Sequence, residues 1–325
     1  GGGTPSLLRP ESVAELVDGA TSAFRALPEL EVTLELNPGT TLRERLPGFR
    51  EAGINRLSVG VQSFDDGKLK RLGRAHLADE CRKTLEAARA ARFDNVSLDL
   101  LFRAPGESMA QLERDLGAFV AAEPEHVSTY ELTLEAGTPM KEAAARGRLP
   151  RAGEDEAAEM MTRLDEGLGA AGLVRYELAS YSRPGFESSH NRRYWERAAV
   201  LGLGLGAWSS TPVGEGSPFG GRRSNLRSLD RYLGRLESGT LPDLDLEVHD
   251  SPTARAEAML LGLRRTQGVD AQLFAAEFGG SPDDFYPEPV ADLVRTGLLV
   301  RGEGGNLLLT RRGRLLADTV AERFV

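Results

Sequence analysis

RLSVGVQ, residues 56–62, has the alternation that decides the fold. Leu57, Val59 and Val61 fall on one face, and Ser58, Gly60 and Gln62 on the other, the period of two expected of a strand. EVTLELN at 31–37 repeats it, with Val32, Leu34 and Leu36 opposed to Thr33, Glu35 and Asn37. In NVSLDLLF at 95–102, Val96, Leu98 and Leu100 oppose Ser97, Asp99 and Leu101, and HVSTYELT at 126–133 is a fourth strand candidate. Helical spacing covers 41–52, 78–92 and 107–122, and an earlier helix spans 11–26 behind Pro10. Strands alternating with helices predict a parallel sheet or barrel of the α/β class.

The apolar faces belong against the helices, which leaves the small and polar faces inside. A closed, packed barrel wants Val, Ile and Leu there. A buried, unpaired carboxylate costs several kcal/mol, so Glu35 and Asp99 need partners. Ligands of parallel sheets bind at the C-terminal strand ends, and Glu35, Gln62, Asp99 and Tyr130 lie near such ends. One carboxylate alone can equally pair with an arginine or cap a loop. The whole set, in phase on consecutive strands, predicts a polar ligand site.

Around this core, a helix at 153–171 leads to a strand at 175–181. Residues 183–224 are rich in Gly and Pro and predict loops, and 238–252 reads as an acidic linker. The tail, 253–325, reads as three helices, two short strands about Gly304–Gly305 and a last helix at 311–323, a winged-helix-like arrangement. The expected division is a partial barrel over 1–175, an extension over 176–250 and the small C-terminal domain over 251–325.

Composition sets outer limits. The 325 residues carry 40 Lys+Arg against 49 Asp+Glu, a net charge of −9, with 40% hydrophobic residues, which excludes disorder along the whole length. The acidic balance argues against sequence-independent nucleic-acid binding. No apolar run is long enough for a membrane span. Cys81, the one cysteine, excludes an internal disulfide framework and any site built on several thiolates of this chain. A cytoplasmic protein is expected.

Two motifs stand outside the strands. GGGTP at 1–5 puts bare backbone where something must approach closely, with Pro5 fixing the exit. HNRRYW at 190–195 carries His190, whose neutral imidazole suits heme iron, beside Tyr194 and Trp195, which can lie on a flat porphyrin. On its own such a motif more often forms a turn with packed aromatics. His76, His126 and His249 receive no ligand role.

These motifs resemble the radical SAM superfamily, and within it the branch of oxygen-independent coproporphyrinogen III oxidase and the heme chaperones. The resemblance runs over essentially the whole chain and implies a partial (β/α)6 barrel with a small C-terminal winged-helix-like α+β domain. GGGTPSLL at 1–8 is similar to the family's glycine motif, so Gly2, Gly3 and Thr4 would meet the amino end of S-adenosylmethionine (SAM). LELNPGT at 34–40 implies that Glu35 takes the SAM ribose. GINRLSVGVQSF at 53–64 places Gln62 among the SAM contacts, RLGRAH at 71–76 gives Arg74 the SAM carboxylate, and SLDLLF at 97–102 gives Asp99 a SAM contact. STYELTLEAGTP at 128–139 and HNRRYW resemble the chaperones, which implies heme on His190 and transfer to an acceptor protein. GLGLGAWSS at 202–210, AMLLGLRRTQGV at 258–269 and the segment 305–324 continue the likeness.

The chain departs from the pattern in two places. The family's three-cysteine loop, which holds a 4Fe-4S cluster, would precede Gly1, and Cys81 cannot replace it. A chain that opens on a family motif without Met is expected to lack its first strand and loop, or else to have lost its cluster. At 102–106, FRAPG has Arg103 and Ala104 where the family shows Gly and Leu, and Arg103 strains the turn if φ there is positive. Three readings are compatible with the sequence: a heme chaperone with SAM and a 4Fe-4S cluster in its intact form, an oxygen-independent coproporphyrinogen III dehydrogenase, and an inactive fragment of either. A homodimer is compatible with each.

Overall fold

The computed structural model describes residues 4–150, 152–211, 213–214, 217–244 and 246–325, apart from the side chains of Thr40 and Thr41. Gly2 and Gly3, assigned above to SAM, lie outside the described residues. The chain forms two compact units, one of Thr4–Arg175 with Ala179–Glu187 and one of Tyr176–Leu178 with Ser188–Val325.

In the first unit the elements run α1 (Pro10–Ala23), β1 (Thr33–Leu36), α2 (Thr40–Glu51), β2 (Arg56–Gln62), α3 (Asp66–Arg71), α4 (Ala78–Ala90), β3 (Val96–Phe102), α5 (Met109–Ala121), β4 (His126–Glu131), α6 (Pro139–Ala145), α7 (Glu154–Ala170), β5 (Val174–Arg175) and β6 (Ser180–Ser182). The sheet order is β1-β2-β3-β4-β6-β5. β1 to β4 are mutually parallel, and β6 runs antiparallel to β4 and to β5. The expected single strand at 175–181 is thus two short strands with residues 176–179 between them. The apolar faces do what their alternation requires: Leu34, Leu36, Leu57, Val59, Val61, Leu98, Leu100 and Val127 are buried with Leu46, Phe49, Leu112, Phe119 and Leu164 of the helices. At about 25 cal/mol per Å² of apolar surface, this layer is the main source of the unit's stability.

The second unit holds α8 (Ser189–Trp195), β7 (Trp208–Thr211), β8 (Gly221–Ser224), α9 (Leu229–Glu237), β9 (Glu247–Val248), α10 (Ser251–Gly262), α11 (Ala271–Phe278), α12 (Pro282–Phe285), α13 (Pro287–Arg295), β10 (Leu299–Arg301), β11 (Leu307–Leu309), α14 (Arg311–Leu315) and α15 (Ala317–Ala321). β10 and β11 form the expected antiparallel pair, set in a separate core around Met259, Phe274, Leu293 and Val320. Three details differ from expectation. The Gly/Pro-rich stretch contributes α8, β7 and β8, the acidic stretch contributes β9 to the same three-stranded sheet, and the last helix breaks at Leu316.

Candidate functional site

Strand register lines up one row of polar groups across the first unit's sheet: Glu35 opposite Ser58, Ser58 opposite Ser97, Ser97 opposite His126 and His126 opposite Ser182. A second row sets Asp99 opposite Ser128 and Ser128 opposite Ser180. Serines in place of branched aliphatics make this face polar, as the alternation predicts.

Asp99 is the electrostatic centre of this face. Burial pushes its carboxyl up to about 7, and repulsion from Glu35 acts in the same direction. Arg56, a hydrogen bond with Ser128 and Arg74 pull the other way. Arg74 in turn is lowered by burial and supported by Asp99. Glu35, Arg74 and Asp99 therefore share one electrostatic neighbourhood, with Glu35 itself exposed.

Gln62 joins the same face by an irregular route. A register shift between Val59 and Gln62 interrupts the β2–β3 ladder, and Gln62 has φ +66°. Such bulges re-aim a side chain at a strand end, at a cost of about 1–3 kcal/mol for a left-handed residue other than glycine. A Cβ on Gly60 would stand 2.8 Å from Asn37 Oδ1 and 3.1 Å from Gln62 Nε2. Bare backbone at Gly60 thus keeps the amides of Asn37 and Gln62 close over it. Thr4 precedes the 3₁₀ turn Pro5–Leu7, which packs beside β1.

Arg74 follows Gly73, whose φ of +70° ends α3, and its amide donates to Leu69 O at 3.0 Å. Two residues on, His76 Nε2 lies 3.2 Å from Val61 O, and burial holds its imidazole below the usual range. His76 therefore ties the Arg74 segment to β2, a supporting role rather than a ligand role.

Beneath these loops lies an ion cluster that the sequence does not announce. Lys68 Nζ donates to Glu107 Oε1 at 2.5 Å and to Asp115 Oδ2 at 2.9 Å, all three side chains at most 2% exposed. Asp115 also accepts from Ser63 Oγ at 2.6 Å and Phe64 N at 2.8 Å, and Glu107 accepts from Ala104 N at 2.9 Å. The loop after Gln62 and the loop after β3 are thus tied to one buried charge set. Arg103 does take the strained turn, at φ +58°, and its guanidinium donates to Glu131, Glu154 and Ala152 O at 2.5–3.1 Å. These bonds fix the guanidinium while the backbone keeps its left-handed turn. Arg56, buried with its Nε unpartnered, also escapes a reading of motifs, because a charge at a strand's first residue looks like a solvated border; one step of period two back from Ser58 reaches it.

The donor set fits SAM on observations of this structure. Carboxylates at Glu35 and Asp99 accept hydroxyls, Arg74 matches a carboxylate, and Gly60 leaves backbone exposed to close approach. It does not fit an iron–sulfur cluster: Cys81 is buried in α4 with its thiol pushed up to about 12, and no metal-binding group of three occurs among the described residues.

In the second unit, His190 is exposed on α8 and meets Tyr194 edge-to-face at 4.9 Å. The helix starts at Ser188, whose Oγ accepts from Asn191 N. Arg264 lies 4.6 Å from the Trp195 ring.

The parallel strands β1 to β4 carry Glu35 and Asp99, with Gln62 at the end of β2 and Arg74 in the loop after α3. The profile of the radical SAM superfamily matches residues 1–118, and that of the HemN C-terminal domain matches residues 250–316. The chain is 33% identical to heme chaperone HemW of Bacillus subtilis, over all of this chain and 84% of that protein. It is 35% identical to heme chaperone HemW of Escherichia coli, over all of this chain and 82% of that protein, and 36% identical to that of Mycobacterium tuberculosis, over 79% of it. The solved structure of coproporphyrinogen III oxidase HemN from Escherichia coli matches all of this chain and 76% of its own with a TM-score of 0.79, at 19% identity, a likeness of fold. The chain belongs to the HemW heme chaperone family of the radical SAM superfamily, whose cofactors are SAM and a 4Fe-4S cluster.

Proposed function

We infer that this chain binds heme and hands it to an acceptor protein, on a scaffold that takes SAM. The observation that carries the reading is likeness to proteins named heme chaperones along the whole chain, at 33–36% identity. The HNRRYW segment supports it: α8 presents His190 at the surface, where an iron porphyrin can reach it. The dehydrogenase reading rests on a likeness of fold alone and is set aside.

In this reading Glu35 and Asp99 accept the hydroxyls of the SAM ribose, and Arg74 pairs with its carboxylate. Gln62 donates or accepts at the adenosyl end, and Gly2, Gly3 and Thr4 meet the amino group. Bound SAM would supply an adenosyl sulfonium, and these residues would orient it and pair with its hydroxyls and carboxylate. Arg56 supplies the buried positive charge that balances Asp99. The reading places the protein in the cytoplasm, free of nucleic acid, and among the described residues no helix is long and apolar enough to cross a membrane.

The test is retention of hemin through gel filtration, read by Soret absorbance, followed by transfer to an apo-hemoprotein. Wild type retains about one equivalent and His190→Ala loses most of it. A wild type that elutes without absorbance would sink the reading. Calorimetric titration with SAM separately tests Glu35→Ala, which is expected to lower affinity about tenfold or more.

A further inference from the structure

The second unit carries a half-open pocket of about 760 Å³, within the ~300–1,000 Å³ common for small-molecule sites. Its walls include Tyr194 and Trp195 from the end of α8, Trp208 from β7, Phe219, His249 and Glu257. Aromatic rings from three segments surround a space that a flat, largely apolar macrocycle can fill. The HNRRYW helix thus ends in this wall, one turn beyond His190.

His249 is the chemical feature of the cavity. It follows β9 directly, and its backbone amide donates to Gly220 O at 3.0 Å, which fixes its place on the wall. The residue is 4% exposed, yet neither ring nitrogen has a hydrogen-bond partner. A buried imidazole left unpaired costs about 1–3 kcal/mol, and buried polar groups in folded chains are rarely left so. Glu257 Oε2 stands 3.6 Å from Nδ1, just beyond hydrogen-bond length. Trp195 Nε1 is a second buried donor without a partner on the same wall.

A carboxylate behind one imidazole nitrogen is the arrangement that prepares the other for a metal. Glu257 is itself held, with Arg197 Nε at 3.2 Å, and Arg197 Nη1 reaches Glu277 at 2.8 Å. Arg222, half-exposed, approaches Glu257 only at 3.6 Å and is therefore able to turn to carboxylates at the cavity rim.

We propose that this cavity is the porphyrin site, with His249 as an axial ligand of the heme iron and Arg222 as the partner of a propionate. The proposal rests on the heme reading and adds the pocket and a ligand to it. On binding, the ring turns so that the Nε2 lone pair enters the iron coordination sphere and displaces a water. Nδ1–H then donates to Glu257. No electron is transferred and the iron keeps its oxidation state. His190, on the surface of the same helix, contributes to holding the heme as well, so that loss of either histidine lowers retention.

The probes are hemin and metal-free protoporphyrin IX, titrated into wild type and His249→Gln. The variant binds hemin about tenfold or more weakly, with a shifted Soret band, while protoporphyrin IX binds as in wild type. Wild-type hemin affinity and spectrum in a folded His249→Gln would overturn the ligand and leave the heme reading standing. No hemin binding by wild type would remove both. If His249→Gln does not fold, Thr253→Trp, an exposed wall position on α10, fills the cavity instead and lowers affinity for both probes; unchanged binding of both would overturn the site.

Discussion

Asp99 is a carboxyl whose charge follows pH within the neutral range, because burial and Glu35 hold it near 7 against an ordinary value of 3.8. The sign follows from linkage. Between pH 4 and 7 the folded chain holds this proton and the unfolded chain has released it, so the contribution to stability is present below about pH 4 and is lost as pH rises through 7. Asp99→Asn removes that loss. The variant is expected to gain on wild type as pH rises from 5 to 8, by up to a few kcal/mol, each tenfold change in proton affinity being worth ~1.4 kcal/mol. Thermal unfolding across that range reads it, and parallel profiles would show the carboxyl to be ordinary. Gly60 makes a second residue-scale case. Alanine there drives Asn37 and Gln62 apart at side-chain ends that can yield, so Gly60→Ala should change stability by no more than about 1 kcal/mol while lowering SAM affinity. Equal affinity by calorimetry would mean that neither amide needs its present position. The alternation of residues 56–62 made the inward face legible; the left-handed backbone at Gln62 was not, because period two carries no sign of a bulge.

The elements of the barrel are fastened by charges that no periodicity reveals. Lys68 in α3 lies 39 residues before Glu107, just before α5, and 47 before Asp115 within it, and meets them only in the fold. Removing one partner of such a buried set leaves uncompensated charge, which typically costs about 3–5 kcal/mol. Lys68→Met is expected to cost that much in chemical denaturation, and a loss below about 1 kcal/mol would show that water reaches the carboxylates. Arg103 gives the contrasting case. Its partner Glu154 is 89% exposed and Glu131 is 43% exposed, so the pairings contribute little, while glycine would remove the strain at φ +58°. Arg103→Gly should therefore stay within about 1 kcal/mol of wild type. The parallel strands and their helices were legible because each has a clean period of two or 3.6. The antiparallel turn of β5 and β6 was not, since strand direction leaves no mark on a short apolar run, and β9 was hidden in an acidic stretch because a two-residue edge strand needs no hydrophobic pattern.

At the scale of the whole molecule, two separate cores imply two separately breakable structures. One is built on β1 to β4 with their helices, the other on Met259, Phe274, Leu293, Leu307 and Val320. The sequence hid how the chain is shared between them, because Tyr176–Leu178 belongs with the second unit although first-unit residues flank it on both sides. Leu178 N donates to Arg264 O and Thr266 N to Tyr176 O, contacts that only the folded second unit brings together. Gly268 offers a point at which this unit alone can be loosened. It has φ +71°, and a Cβ there would stand 2.1 Å from Leu307 O, beside the backbone pair in which Val269 N donates to Leu307 O and Leu307 N to Val269 O. Neither the backbone angle nor the carbonyl can yield cheaply, since a left-handed residue with a side chain costs ~1–2 kcal/mol before any clash is counted. Gly268→Ala should speed amide hydrogen exchange across 251–325, while β2 and β3 keep wild-type protection. Exchange that rises equally in β2 and β3 would mean that the two cores unfold as one cooperative structure.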